Sequence, residues 1–172
     1  MATSPAPAID TGATLTYNNT PLTLPLGGVQ PKGIALVDYD NDGWLDVIAY
    51  GNGLRVWRNQ GSVGFADVTA DLGLAKIGTV DSIAAADFDG DGNLDIVVAD
   101  HGNNFDDPLF GGTVVSVLLG NGDGTFQDAT IWPAGPFPNS VAVGDFNNDG
   151  HPDIVVANDK ASIGTVSVLI NR

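Results

Sequence analysis

Residues 87–95 read Asp-Phe-Asp-Gly-Asp-Gly-Asn-Leu-Asp. The phrase returns twice, as Asp-Tyr-Asp-Asn-Asp-Gly-Trp-Leu-Asp at 38–46 and as Asp-Phe-Asn-Asn-Asp-Gly-His-Pro-Asp at 145–153. The starts lie 49 and then 58 residues apart (87 − 38, 145 − 87), close to the roughly 40–50 residues of one four-stranded propeller blade. Short runs of small and β-branched residues flank each phrase: 33–37 and 47–49, 83–86 and 96–99, 141–143 and 154–157. Such runs, bounded by Gly and Asp, read as buried strands, which makes the phrase a hairpin connection. A third run follows in every copy (54–57, 113–119, 165–170) and a fourth in the first two (64–69, 124–131). The expected fold is all-β, a β-propeller of four-stranded antiparallel blades with three blades per chain. Residues 1–12 read as a flexible leader and 13–172 as the blade unit. Copy three ends before a fourth run, and residues 13–26, which precede the first phrase at the offset where 126–135 precede the third, are the candidate for that strand. Because an unpaired strand edge is adhesive, two resolutions are expected: the chain is part of a longer one, or copies exchange this segment, closing a six-bladed homodimer or, failing closure, building a filament.

Within each phrase, positions one, three, five and nine aim side-chain oxygens at one point, and position seven offers its carbonyl. The side-chain sets are Asp38, Asp40, Asp42 and Asp46; Asp87, Asp89, Asp91 and Asp95; and Asp145, Asn147, Asp149 and Asp153. The carbonyl positions are Trp44, Asn93 and His151. Calcium takes six to eight such oxygens, so three Ca²⁺ sites are expected. Glycine at position six (Gly43, Gly92, Gly150) permits the turn that brings position nine back. An EF-hand needs a Glu at position twelve followed by a helix, whereas position twelve here is Ala49, Val98 and Val156. Nine-residue RTX repeats are contiguous, and these copies are not. A metal-free Asx turn uses one or two aspartates, not four at fixed spacing three times.

Composition agrees. All 21 acidic residues are Asp, none is Glu, and the net charge is −15. Aspartate keeps its carboxylate close to the backbone, where it turns the chain or reaches a metal. With six Lys and Arg in all, nucleic acid and anionic membrane surfaces are disfavoured as partners. Cysteine is absent, which excludes disulfides and thiolate metal sites. No apolar run approaches the roughly 20 residues of a membrane helix, and the first ten residues lack the basic and apolar regions of an intact signal peptide.

The three phrases with their following strands, such as residues 87–99 and 143–153, resemble the FG-GAP and VCBS repeats of integrin α-subunit propellers and of many bacterial secreted proteins. The resemblance implies structural Ca²⁺, a secreted or cell-surface location and a recognition role. Asn147 departs from the all-Asp pattern and lowers the charge of the third loop. If the metal loops join first and second strands, the second-to-third-strand connections emerge on the opposite face. The longest of them, residues 100–112, carries His101, Asn103, Asn104, Phe105 and Asp106. Together with Trp132, which has the amphipathic ring to stack on a sugar, these are the candidate ligand-binding residues. The expected partner is a carbohydrate or an extracellular protein. Trp132 and Trp57 also suit blade packing, and the long connection suits a subunit contact. Catalysis is not expected: with no Cys, no Glu and two His, a nucleophile and base are hard to assemble, and most carboxylates are committed to the loops. Alternative readings are a building block that assembles by strand exchange, or an accessory domain of a secreted enzyme.

Overall fold

The computed structural model describes residues 22–74, 78–100, 112–159 and 163–172. Among the described residues eleven strands form three antiparallel sheets in chain order. The first blade comprises β1 (Pro31–Val37), β2 (Asp46–Gly51), β3 (Leu54–Asn59) and β4 (Phe65–Asp67). β5 (Ser82–Ala86), β6 (Asp95–Ala99), β7 (Val114–Leu118) and β8 (Thr130–Pro133) make the second. The third has β9 (Pro138–Gly144), β10 (Asp153–Asn158) and β11 (Thr165–Leu169). Among the described residues the only helix is a 3-10 turn, Gly61–Val63.

Each blade is a meander built by the same alternation. The first pair in all three uses one register, with Val37 opposite Asp46, Ala86 opposite Asp95 and Gly144 opposite Asp153. The last residue before the phrase thus faces its ninth, and the eight intervening residues must arch out as a loop. The innermost strands lie side by side, β1 against β5 and β5 against β9.

Small and β-branched residues let the sheets stack closely. One core joins Val37, Ile48 and Val56 of the first blade to Ile83, Ile96, Val98 and Leu118 of the second. The other joins Val97, Val115 and Val117 of the second to Val141, Ile154 and Val156 of the third. At about 1.5–3 kcal/mol for each large aliphatic side chain buried, these two interfaces dominate the stability of the array.

The sheets form an open row of three rather than a closed ring, and the third holds three strands among the described residues instead of the four of a full blade. Of the candidate fourth strand, residues 13–21 lie outside the described residues, and residues 22–26 belong to no strand.

Candidate metal centres

The three phrases form the connections β1–β2, β5–β6 and β9–β10, and they fold alike. The first aspartate accepts backbone N–H bonds across the turn: Asp38 from Asp42 (3.0 Å) and Gly43 (2.9 Å), Asp87 from Gly90 (2.7 Å) and Gly92 (2.9 Å), Asp145 from Asp149 (3.1 Å) and Gly150 (2.9 Å). The fifth accepts from the seventh, Asp42 from Trp44, Asp91 from Asn93 and Asp149 from His151. Asx-turn chemistry is therefore present in every loop. It does not exhaust the carboxylates, since each offers about four lone-pair sites.

Two positions have left-handed backbone. The sixth does so as the sequence suggests, with φ of 90°, 88° and 91° at Gly43, Gly92 and Gly150. The fourth does so too: Asn41 (56°), Gly90 (78°) and Asn148 (62°). Only Gly, and Asn among the larger residues, adopts this region readily, and the Asn/Gly/Asn choice at position four was a legible signal that pattern-matching on aspartates passes over.

Carboxylate oxygens of Asp38, Asp40 and Asp42 lie within 4.8 Å of one another, as do those of Asp87, Asp89 and Asp95. Three hard oxygen donors at this spacing on a tight loop suit a divalent cation of the calcium or magnesium kind. The third loop brings no three carboxylates together in this way among the described residues. There Asn147 replaces the third aspartate and its Nδ2 donates to Asp149 Oδ2 (2.8 Å).

The ninth aspartate has a second role that spacing alone does not reveal. Asp46, Asp95 and Asp153 are each 0% exposed. Each accepts an N–H from the loop's second residue and another from the end of the blade's third strand. For Asp46 the donors are Tyr39 (3.2 Å) and Asn59 (2.7 Å), for Asp95 Phe88 (2.7 Å) and Gly120 (2.8 Å), and for Asp153 Phe146 (2.9 Å) and Asn171 (2.8 Å). This residue staples loop to sheet. Asp95 also joins its carboxylate cluster, whereas in the first loop Asp42 completes the trio and Asp46 stands outside it.

Burial shapes the electrostatics. Desolvation pushes the Asp46 carboxyl up to about 6 despite its two backbone donors. Asp95 is raised by burial, with the charges of Asp89 and Asp87 adding to the effect. Asp40 is likewise raised by burial, and Arg58 opposes the shift. Tyr39 beside them is pushed up to about 12, by burial first and then by the Asp40 and Asp46 charges. A cation among these groups would favour their ionised forms, the usual linkage between metal and proton.

Arg58 distinguishes the first loop. From β3 its Nε lies 2.5 Å from Asp40 Oδ2 and its second terminal nitrogen 3.5 Å from Asp42 Oδ2. The short approach is not a well-directed hydrogen bond, for Asp40 Oδ2 is buried with none. At the position preceding the staple's strand-end donor, the other blades carry Leu119 and Ile170.

Adjacent loops touch, with Asn41 Nδ2 donating to Asn93 Oδ1 at 2.8 Å. The ligand-binding candidates fare differently. His101, Asn103, Asn104, Phe105 and Asp106 lie outside the described residues. Trp132 lies near the end of β8, 44% exposed, with its Nε1 donating to Thr130 Oγ1 at 3.2 Å. It helps line a cleft that also includes Asp89. Trp57 is buried in the first blade.

No curated protein matches the chain. Among solved structures, one similar chain is an Agrocybe aegerita lectin described for specific recognition of non-reducing terminal N-acetylglucosamine. It is 25% identical over 81% of this chain, with a TM-score of 0.47. The match spans 38% of the lectin's length. A family model described as an FG-GAP-like repeat matches residues 38–98 and again 96–156. Since these two matches start at the first phrase and run past the third, in register with the blades and loops described above, the chain belongs to the FG-GAP-like repeat family.

Proposed function

We propose that this chain is a calcium-binding, non-catalytic recognition module, with Ca²⁺ serving as a structural ion at its three aspartate loops. The observation that carries the reading is the convergence of three carboxylates in each of the first two loops. Asp38, Asp40 and Asp42 would hold one ion and Asp87, Asp89 and Asp95 another, with the carbonyls of Trp44 and Asn93 and the carboxylate of Asp91 completing the shells. Asp145, Asn147, Asp149, Asp153 and the His151 carbonyl form the weakest site. When bound, calcium supplies charge neutralisation and nothing more. The chain's own part is to pre-fold each loop through its Asx turns and its ninth-position staple.

The partner is a carbohydrate or an extracellular protein met outside the cytoplasm, at the cell surface or after secretion. Family membership supports that setting, as does a net charge of −15, which suits millimolar extracellular calcium better than nucleic acid or anionic lipid. Among the described residues no helix is long and apolar enough to cross a membrane. His101, Asn103, Asn104, Phe105 and Asp106 remain the proposed contact residues. A glycan array and pull-down against extracellular proteins, each with calcium and with chelator, test the reading. Binding to neither, in the calcium-loaded state, would overturn it.

A second reading is favoured by the edge of β11, which among the described residues pairs with β10 alone: copies of the chain associate, as a homodimer closing six blades. Native mass spectrometry at several concentrations tests it.

A further inference from the structure

A cleft of about 220 Å³ opens between the second and third sheets, walled by Phe88, Asp89, Val117, Ile154 and Leu169, with Trp132 beside them. The repeat shows what belongs there. By loop position and strand pairing, the first five residues correspond to Tyr39, Asp40, Val56, Ile96 and Leu118 one interface earlier, with Ile96 opposite Leu118 just as Ile154 is opposite Leu169. At that interface Tyr39, Val56, Ile96 and Leu118 share one buried cluster, and Phe126 and Ala129 pack on it. The Phe126 ring stacks on Tyr39 with centroids 6.1 Å apart. Its backbone bridges Gly120, and Gly124 approaches Asp40 and Tyr39 closely. These residues all come from the stretch that leads into β8, the second blade's fourth strand.

The third blade lacks that stretch among the described residues. β11 pairs with β10 alone, and its Val166 and Val168 are 66% and 54% exposed. Among the described residues, the cleft is therefore the counterpart of the Phe126 seat without its aromatic ring. A cavity of about 150 Å³ already accepts benzene, so the size suits a phenyl or phenol side chain.

The sequence holds a matching segment. In both complete blades the fourth strand directly precedes the next blade's first, β4 before β5 and β8 before β9. Phe65 stands 22 residues before Asp87 and Phe126 stands 19 before Asp145, and Tyr17 stands 21 before Asp38 (87 − 65, 145 − 126, 38 − 17). Two residues after each aromatic comes Asp67, Asp128 or Asn19. The first blade already has β4, so a fourth-strand counterpart ahead of β1 would serve a different blade. The row β1, β5, β9 puts the entry to β1 and the edge of β11 at opposite ends.

We infer that residues 15–20 of a second copy of this chain, a segment outside the described residues, add to the free edge of β11 and seat Tyr17 against Phe88. Strand addition supplies the main-chain bonds and the cleft reads the alternate side chain, the usual division in β-augmentation. The inference deepens the reading that copies associate and rests on it.

The test uses the full chain. Light scattering across concentrations is compared for the native protein and Tyr17→Ala, with circular dichroism confirming the fold. Tyr17→Ala is expected to weaken association about thirtyfold, as for loss of an interface anchor. Because the chain has no cysteine, a Tyr17→Cys chain mixed with a tagged Ile170→Cys chain should oxidise to a disulfide-linked pair. A native protein that stays monomeric at every concentration overturns both association and seat. Association that ignores Tyr17→Ala, without the mixed disulfide, overturns the seat alone.

Discussion

Replacing Asp95 with Ala separates the stapling role of position nine from its metal role. The substitution removes both acceptors of the Phe88 and Gly120 N–H groups, in a site where Asp95 is 0% exposed. Each orphaned buried donor costs about 1–3 kcal/mol, or about 2–6 kcal/mol together. Removing a carboxylate that burial has already raised in pKa returns part of that, leaving a net loss of about 3 kcal/mol by the same scale. This loss is independent of metal. Asp89→Ala, by contrast, removes one loop bond, to the Asp91 N–H, worth under about 1.5 kcal/mol. It should cost roughly 2.7 kcal/mol more where calcium stands at a hundred times its dissociation constant. Urea unfolding of both variants, in chelator and in calcium, gives the four numbers. If Asp95→Ala is harmless in chelator, or Asp89→Ala costs the same in both, the division of labour is wrong.

Other consequences can be checked independently. Arg58→Leu, which copies the Leu119 of the second blade, should tighten the first loop for calcium about tenfold or more, given ion pairs to the buried Asp40 and the partly exposed Asp42. Terbium luminescence sensitised by Trp44, and lost in Trp44→Phe, reads that loop, and unchanged affinity would show that Arg58 does not compete. Gly92→Ala meets open space but a φ of 88°, so it should cost about 1–2 kcal/mol from backbone strain alone, seen as a lower urea midpoint. In chelator, stability should fall between pH 4 and 7. Burial pushes the Asp46 carboxyl up to about 6 from the ordinary 3.8, so the folded state prefers its protonated form. The stability this confers is complete below about pH 4 and is lost as pH rises through 6, about 3 kcal/mol in all. In calcium the ion favours the carboxylates and the trend should reverse, so parallel pH profiles with and without the ion would contradict metal linkage at these groups.

The strands were legible because each blade is written in short β-branched runs between Gly and Asp, and the structure places β1–β2, β5–β6 and β9–β10 on either side of the three phrases. The loops were legible because aspartates at alternate positions have one chemical use in common. Position nine was read only as a ligand, since spacing cannot show that Asn59, Gly120 and Asn171 N–H groups arrive from a strand 13 to 25 residues further on. Arg58 was invisible for the same reason: its place over Asp40 depends on the β2–β3 pairing. Trp132 stands next to Pro133 in sequence, and β8 extends through both residues, because pairing with Val114 and Val115 of β7 carries the strand further than its apolar run suggests.

The central claim is that the loops hold calcium, and titration calorimetry of the chelated, dialysed chain with calcium chloride tests it most directly. The account predicts saturable binding at more than one site, with the tightest lost in Asp89→Ala. An isotherm with no binding heat, together with a melting temperature indifferent to calcium, would mean that the aspartates serve only as hairpin turns.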